Sequence, residues 1–267
     1  MAHARSLKTS TRDSEVRGAA KAAPLLNPLR LAETAVAAIA DLMRESAGAD
    51  FSGGAIAIGA IVPADHAFVA DRRAAGAGLL ADASEERLLY VVPLDGDAGT
   101  SRSEELVDYL TAAGLDPIAS APRQSKAAVE DALREAGILV ELLADPQATL
   151  RAHEPTYRLL ISVLLREPEE MLRLRTSTIA PIEQYDAAHD TDLLCTLETF
   201  LGHHGSTTDT AEAMKLHRHT VGYRLARVQE VSGLSPYESD GRERLSLGLK
   251  AHRILLAENR RVSPSRS

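Results

Sequence analysis

The sequence predicts an α+β protein that is mostly α, in which a small N-terminal α/β module precedes an all-helical C-terminal helix-turn-helix domain. Three observations lead to this fold class. Alanine-rich and leucine-rich windows favour helix, while aromatic residues make up only 3% of the 267 residues. Short β-branched or aliphatic runs occur only in the first half of the chain. After Thr156 the apolar residues recur only at helical spacing.

The first half of the chain alternates predicted helices and strands. Residues 29–47 predict an amphipathic helix, because apolar residues such as Leu29, Val36 and Met43 recur there at helical spacing. Three apolar runs bounded by Gly or Pro predict strands, the third only weakly: residues 53–63, 87–94 and 115–122. Three further windows predict helices: residues 70–83, 101–115 and 125–144.

The second half contains only predicted helices, which Pro168 and Pro181 interrupt. These patterns divide the chain into five parts: a disordered tail at 1–26, the α/β module at 27–150, a helical connector at 151–190, the helix-turn-helix domain at 191–258 and a second disordered tail at 259–267.

Charge and cysteine content limit the classes of protein to which the chain can belong. The formal net charge is -8, yet residues 203–267 hold 11 Lys and Arg against 7 Asp and Glu, while the first 202 residues carry a net -12. A basic segment of this kind attracts polyanions.

The lone Cys195 excludes an intrachain disulfide, and its leucine neighbours predict a packed core thiol. Because the chain has neither an 18-residue apolar run nor an apolar N-terminal segment, we expect no membrane contact and a cytoplasmic location.

Residues 192–205 predict a helix that ends at Gly202 or Gly205 and whose apolar side chains share one face. These side chains are Leu193, Leu194, Leu197, Phe200 and Leu201. Ser206 or Thr207 then provides the N-cap of a second helix of about two turns. So short a helix needs its neighbours to be stable.

A turn at Lys215 leads into a third helix, in which Val221, Leu225 and Val228 recur at i, i+4 and i+7 and predict a buried stripe. The small side chain of Ala211 in the second helix lets the third helix cross it closely. This combination is the pattern of a helix-turn-helix motif.

The third helix, at about residues 218–230, is predicted to present a polar face to its surroundings. At about 100° per residue, His219 and Tyr223 point directly away from the buried stripe, and Arg227 lies on one shoulder. Arg218 lies at the helix N-terminus, where backbone N–H groups and the helix dipole favour phosphate. We therefore expect this helix to enter the major groove of double-stranded DNA. The candidate DNA-binding residues are His217, Arg218, His219, Thr220, Tyr223, Arg224 and Arg227.

Residues 193–255 resemble the C-terminal helix-turn-helix domain of PucR/CdaR-type bacterial transcriptional regulators. The resemblance is carried by the runs TLETFL, TAEAMKLHRHTVGYRLARV and DGRERLSLGLKAHRIL. Upstream, SKAAVEDALREAG is similar, more weakly, to the degenerate GGDEF-like domain of those regulators. The resemblance implies a sequence-specific transcriptional regulator whose α/β module serves sensing or self-association.

Two positions depart from the family pattern. Lys215 occupies the turn position that commonly holds Gly, and a left-handed backbone at Lys costs roughly 1 kcal/mol. Gly222 stands where many relatives carry a basic residue, which removes one expected DNA contact. Gly222 and the net negative charge of the whole chain favour the alternative that the chain is a non-catalytic sensor or scaffold whose helix-turn-helix mediates protein contacts.

Other functions receive less support from the residues. Five histidines (His203, His204, His217, His219 and His252) could form a metal site, but they lack the spacing of zinc ligands. The chain has no GG-[DE]-E-F run, so we expect neither nucleotide-cyclase activity nor any other catalysis, and no cofactor.

We expect a homodimer, because a single recognition helix reads only a few base pairs. If the α/β module serves sensing instead of self-association, its partner would be an unidentified small-molecule effector.

Overall fold

A small antiparallel sheet precedes a helical half in the computed structural model, which describes residues 51–63, 79–84, 86–94, 97–125, 129–145 and 154–262. The sheet has the strand order β2-β3-β1-β4, with β1 at Ala55–Ile61, β2 at Leu79–Ser84, β3 at Arg87–Pro93 and β4 at Ile118–Ala119. All three strand pairings are antiparallel, and Ile58 lies opposite Tyr90 in the β1–β3 pair. The mostly helical α+β fold class is confirmed.

Among the described residues, one helix packs on each face of the sheet. Large side chains alternate with small ones along the strands, so that α1 (Asp97–Ala112) packs on Ile, Leu, Val and Tyr side chains, and α2 (Val129–Leu143) packs mainly on Ala and Val. The small residues let α2 lie very close to the sheet. A Cβ atom on Gly59 would stand 2.3 Å from Cγ2 of Val140.

The second half consists of helices joined by short turns. Their bounds are α3 (Pro155–Arg166), α4 (Pro168–Thr178), α5 (Ala180–His189), α6 (Leu193–Gly202), α7 (Thr207–Ala213), α8 (Arg218–Ser232) and α9 (Ser239–Val262). The prolines predicted to interrupt this region lie in the first turns of α4 and α5. Proline is favoured there because the first backbone N–H groups of a helix have no intrahelical acceptor.

The last helix, α9, joins the two halves of the molecule. Near its N-terminal end, Leu245 and Leu249 pack with residues of α5, α6 and α8. Toward its C-terminal end, Ile254 and Leu255 pack with residues of α2, α3 and α4. Its 24 residues span about 36 Å at 1.5 Å per residue. The helix-turn-helix region and the α/β module therefore share one continuous structural element.

Three buried glutamates hold this junction together, and each lies between two arginines. Glu258 of α9 has no exposed surface, and its carboxylate lies 3.0 Å from Arg134 of α2 and 2.8 Å from Arg261. The other two glutamates belong to α2, and their arginines come from separate parts of the chain: Glu135 pairs with Arg123 and Arg158, and Glu141 pairs with Arg87 and Arg260. Buried carboxylates need such pairing because charge is costly to remove from water.

The structure corrects three sequence-based expectations. Residues 79–83 were predicted within a helix at 70–83, but they form β2, because pairing with β3 outweighs the helix preference of alanine. Residues 259–262 belong to α9 and not to a disordered tail, since Arg260 and Arg261 are held by the glutamates of the junction. Cys195 is exposed on α6 and is not a packed core thiol, because the buried positions of α6 are Leu193, Thr196, Leu197 and Phe200.

The other predicted elements agree with the structure where it describes them. The strands expected at 53–63, 87–94 and 115–122 correspond to β1, β3 and β4, and the helices expected at 101–115 and 125–144 correspond to α1 and α2. The tail at 1–26 and the helix at 29–47 lie outside the described residues. Within the described part of the chain, no helix combines the length and apolar character needed to cross a bilayer.

Candidate nucleic-acid interface

The helices α6, α7 and α8 pack around a small apolar centre. Phe200, Ala211, Val221 and Leu225 are buried together there, with Leu216 partly buried beside them. Ala211 takes the place where the sequence predicted a small residue, so α8 crosses α7 at close range. The predicted buried stripe of α8 is confirmed, because Val221, Leu225 and Val228 have no exposed surface.

The turns on either side of α7 have the predicted chemistry. The Ser206 hydroxyl caps α7 by accepting a hydrogen bond from the backbone N–H of Asp209 at 3.3 Å. Lys215 has a φ of 54°, which is the left-handed backbone expected at this position. Just before α8, the Nδ1 atom of His217 accepts a hydrogen bond from the backbone N–H of His219 at 3.3 Å. His217 is therefore the N-cap of α8, and its ring stacks on that of His219 with centroids 5.0 Å apart.

One face of α8 stands open to its surroundings. We call the surface formed by His219, Gly222, Tyr223 and Ala226 the outer face. Tyr223 is 65% exposed, and His219 and Ala226 are also exposed. Among the described residues, and apart from the two chain neighbours of Gly222 and the nearby backbone of α8, no atom lies within 4 Å of a Cβ built on Gly222, so there is open space beside this position. The outer face is polar at two positions and small at the other two.

The seven predicted site residues occupy three different environments. His217, Arg218, His219, Thr220 and Tyr223 are exposed at the start of α8 and along its outer face. Arg224 points instead toward α6, where it donates to the Thr196 hydroxyl at 3.2 Å and lies 3.4 Å from the Asp192 carboxylate. Arg227 is partly exposed at the edge of the outer face. The structure thus brings six candidates toward the outside and turns Arg224 toward a neighbouring helix.

Arg227 is held by side chains on two helices. Its Nη1 forms an ion pair with Glu230, and its Nη2 donates to the Tyr223 hydroxyl at 3.2 Å. Its guanidinium carbon lies 5.8 Å from the Tyr223 ring centroid and 5.7 Å from that of Tyr185, which belongs to α5. The hydrogen bond to Tyr223 and the nearby charge of Glu230 raise the pKa of Arg227.

Sequence reasoning placed α5 in a connector, whereas the structure builds it into the core beneath α8. Ile179, just before α5, and Ile182 within it are fully buried with Val228 and Leu245. Asp186 of α5 also caps α6, because its carboxylate accepts hydrogen bonds from the backbone N–H groups of residues 193 and 194 at 2.8 and 2.9 Å. The spacing of Ile179 and Ile182 was the only available signal in the sequence, and two apolar residues do not identify the partner of a helix.

The five histidines considered as a metal site do not form one cluster, although His217 and His219 are neighbours. His252 is buried in α9, where its Nδ1 accepts a hydrogen bond from Arg175 at 3.2 Å. Burial, together with nearby Arg175 and Arg253, lowers the pKa of His252 to about 4, so its ring is neutral at pH 7. No group of three or more His, Cys, Asp or Glu side chains within the described residues is placed to hold a metal ion.

The packing of α6, α7 and α8 and the open outer face of α8 are the features of a helix-turn-helix protein. Residues 193–251 match the family model described as the PucR C-terminal helix-turn-helix domain. This stretch runs from the start of α6 into the first half of α9. The chain therefore contains a PucR C-terminal helix-turn-helix domain, which confirms the resemblance for that part of the chain.

Two relatives resemble the chain over different lengths. The "uncharacterized protein in pkwA 5'region" of Thermomonospora curvata is 32% identical over 154 residues, which cover 57% of this chain and 83% of that protein. The chain belongs to the same family as that protein. The "purine catabolism regulatory protein" of Bacillus subtilis (strain 168) is 31% identical over 87 residues. That match covers 33% of this chain and 16% of the length of the Bacillus protein.

Similarity to solved structures was also found. The regulator of polyketide synthase expression from Bifidobacterium adolescentis is 23% identical and covers 80% of this chain and 90% of its own, with a TM-score of 0.36. At that score no conclusion about this chain follows from the likeness.

Proposed function

We propose that the chain is a transcriptional regulator that binds double-stranded DNA by placing α8 in the major groove. The outer face of α8 carries this proposal. A helix that enters a groove needs hydrogen-bonding side chains that reach base edges and small residues where the backbone must come close. His219 and Tyr223 meet the first need, and Gly222 and Ala226 meet the second. The PucR C-terminal domain and the regulatory relative from Bacillus support the proposal.

The predicted site residues divide into three roles under this proposal. His219 and Tyr223 meet base edges from the outer face. Arg218, His217 and Thr220 lie at the N-terminus of α8, and Arg227 lies at the edge of the outer face, positions suited to phosphate contacts. Arg224 anchors α8 to α6 through Asp192 and Thr196 instead of contacting DNA.

The test measures how substitutions in the protein change its affinity for a preferred duplex and for random DNA. The full chain is first used to select a preferred duplex from a random pool. Tyr223→Ala should then weaken binding to that duplex by about 1–3 kcal/mol more than it weakens binding to random DNA, because only base contacts carry sequence preference. Arg218→Ala should weaken binding to both duplexes and lower the slope of log affinity against log salt by about one.

A matched control for these variants is Tyr109→Ala, which removes an exposed tyrosine from α1. It should leave both affinities unchanged, because α1 covers the sheet of the α/β module. Failure to enrich any duplex from the pool, by a protein that is folded by circular dichroism, would count against DNA recognition. It would favour the alternative that the helix-turn-helix mediates protein contacts.

Gly222 offers a substitution that should strengthen binding. Gly222→Arg fits the open space around this residue and removes a glycine from a helix interior, which stabilises the helix by about 1 kcal/mol. The added cation should raise affinity for random DNA more than for the preferred duplex, so discrimination should fall. Gly222→Ala is the control, since it gains the helix preference without the charge. If Gly222→Arg and Gly222→Ala bound random DNA with equal affinity, no DNA would lie against residue 222.

The proposal extends to the remaining parts of the chain. We infer that the α/β module at 27–150 is a degenerate GGDEF-like domain used for sensing an effector or for self-association, and that the protein acts in the cytoplasm without a catalytic reaction. The antiparallel sheet with a helix on each face supports such a module. We also propose a homodimer, because paired recognition helices read two half-sites about one DNA turn apart. A monomeric mass by analytical ultracentrifugation, with and without the preferred duplex, would exclude the dimer.

A further inference from the structure

Four flat side chains lie one against the next between α5 and α8. The rings of His189 and Tyr185 stack with centroids 4.0 Å apart and an interplanar angle of 13°. The guanidinium of Arg227 follows, 5.7 Å from the Tyr185 ring centroid, and Tyr223 of the outer face follows Arg227 at 5.8 Å. We call this row of four side chains the aromatic ladder. It connects a helix that lies outside the matched domain to the proposed DNA-contacting surface.

The aromatic ladder limits the positions that Arg227 can take. Tyrosine rings lie against the guanidinium from two helices, and Glu230 and the Tyr223 hydroxyl each engage one terminal nitrogen. Its Nε is buried and has no hydrogen-bond partner among the described residues. A guanidinium held in this way loses less conformational freedom when it binds a phosphate than one on a mobile side chain. Each terminal nitrogen still carries an N–H group that these contacts do not use.

Tyr185 has a packing role and a second contact that packing does not require. Its ring lies at the margin of the apolar cluster that contains Ile182 and Val228. The same ring also lies against the charged guanidinium of Arg227, whose carbon is 5.7 Å from the ring centroid. A leucine at this position could still pack against the cluster, but it would offer no aromatic face to the guanidinium.

We propose that Tyr185 is a positioning residue for DNA binding, which holds the Arg227 guanidinium in the orientation in which it meets a phosphate at the edge of the groove. This inference rests on the proposed function. It extends the DNA-binding unit beyond residues 193–251 to include α5. Tyr185 itself touches no DNA and acts only through Arg227.

The experiment measures coupling between the two residues in the full chain. Affinity for a random-sequence duplex is measured by fluorescence anisotropy at several salt concentrations, which suits a phosphate contact because that contact does not depend on sequence. The variants are Tyr185→Leu, Tyr185→Phe, Arg227→Ala and the double variant Tyr185→Leu/Arg227→Ala. Circular dichroism and thermal unfolding of each variant show that it is folded at the temperature of the assay.

Tyr185→Leu should weaken binding by up to about 10-fold, because ordering one rotamer-rich side chain on binding costs about 0.5–1.5 kcal/mol. Tyr185→Phe keeps the ring and should bind like the wild type. Arg227→Ala should weaken binding and lower the salt slope by about one, and Tyr185→Leu should add no further loss in that background. Full coupling of this kind distinguishes positioning from a structural role, which would weaken binding by the same factor with or without Arg227.

Two results would overturn the inference while leaving the proposed function in place. One is an equal loss from Tyr185→Leu in the presence and absence of Arg227. The other is unchanged or tighter binding by Tyr185→Leu, which would mean that the aromatic ladder does not aid the phosphate contact. A folded wild type that bound no duplex at any salt concentration would overturn the proposed function and this inference together.

Discussion

Replacing Glu258 with Gln should lower the free energy of unfolding by about 3–5 kcal/mol, the range measured when one partner of a buried ion pair is removed. The carboxylate has no exposed surface and lies between Arg134 and Arg261. An amide of nearly the same shape keeps the packing but leaves two guanidinium groups without their counter-charge. Urea unfolding at pH 7, followed by circular dichroism, measures the change.

The control for this prediction is Glu170→Gln in α4. Glu170 forms an ion pair with Arg173, but both side chains are more than half exposed. Water and salt screen such a pair, so the free energy of unfolding should change little. Similar losses for Glu258→Gln and Glu170→Gln would mean that the junction between α9 and α2 does not depend on its buried charges. A much larger loss for Glu258→Gln would show that the α/β module and the helix-turn-helix region stabilise each other.

Replacing Ile182 with Ala should cost about 2–5 kcal/mol of stability, although Ile182 lies outside the matched domain. The side chain has no exposed surface and packs with Ile179, Leu193 and Val228 beneath α8. Its truncation removes buried methyl groups and leaves a cavity in the core that supports α8. Because α8 then loses part of its support, we expect the variant to bind the preferred duplex less tightly than the wild type at temperatures close to the midpoint of its own thermal unfolding.

Leu159→Ala is the matched control, since Leu159 is an apolar helical residue that is 63% exposed on α3. Its loss should change the free energy of unfolding by less than about 0.5 kcal/mol. If Ile182→Ala were no more destabilising than this control, α5 would not belong to the core of the helix-turn-helix unit. The domain boundary predicted at residue 191 would then stand.

Between Asp192 and Ser232, most of the local structure could be predicted from the sequence. The N-cap at Ser206, the left-handed turn at Lys215, the small residue at Ala211 and the buried stripe of α8 were all predicted. Each of these features depends on residues close together in the chain, where capping chemistry and the 3.6-residue period apply directly. The exposed positions of His219 and Tyr223 followed from the same period.

Tertiary packing decided the features that join distant residues. Residues 79–84 became a strand because β3 offered a hydrogen-bonding edge, which overrode the helix preference of an alanine-rich window. Each of the three buried glutamates pairs with at least one arginine on another element, and no local pattern in the sequence could reveal those pairs. Cys195 is exposed because the neighbours of α6 cover the opposite side of that helix.

The sequence by itself determined that the chain has a helix-turn-helix, where it lies and which side of its last helix faces outward. Only the tertiary structure decided that α5 completes that unit, that Arg224 turns toward α6 and that Arg227 is held between Tyr185 and Tyr223. Helical period determines the direction in which a side chain leaves its own helix. The contacts at the end of a long arginine depend on whichever helix lies beside it, and that is set by packing across the whole fold.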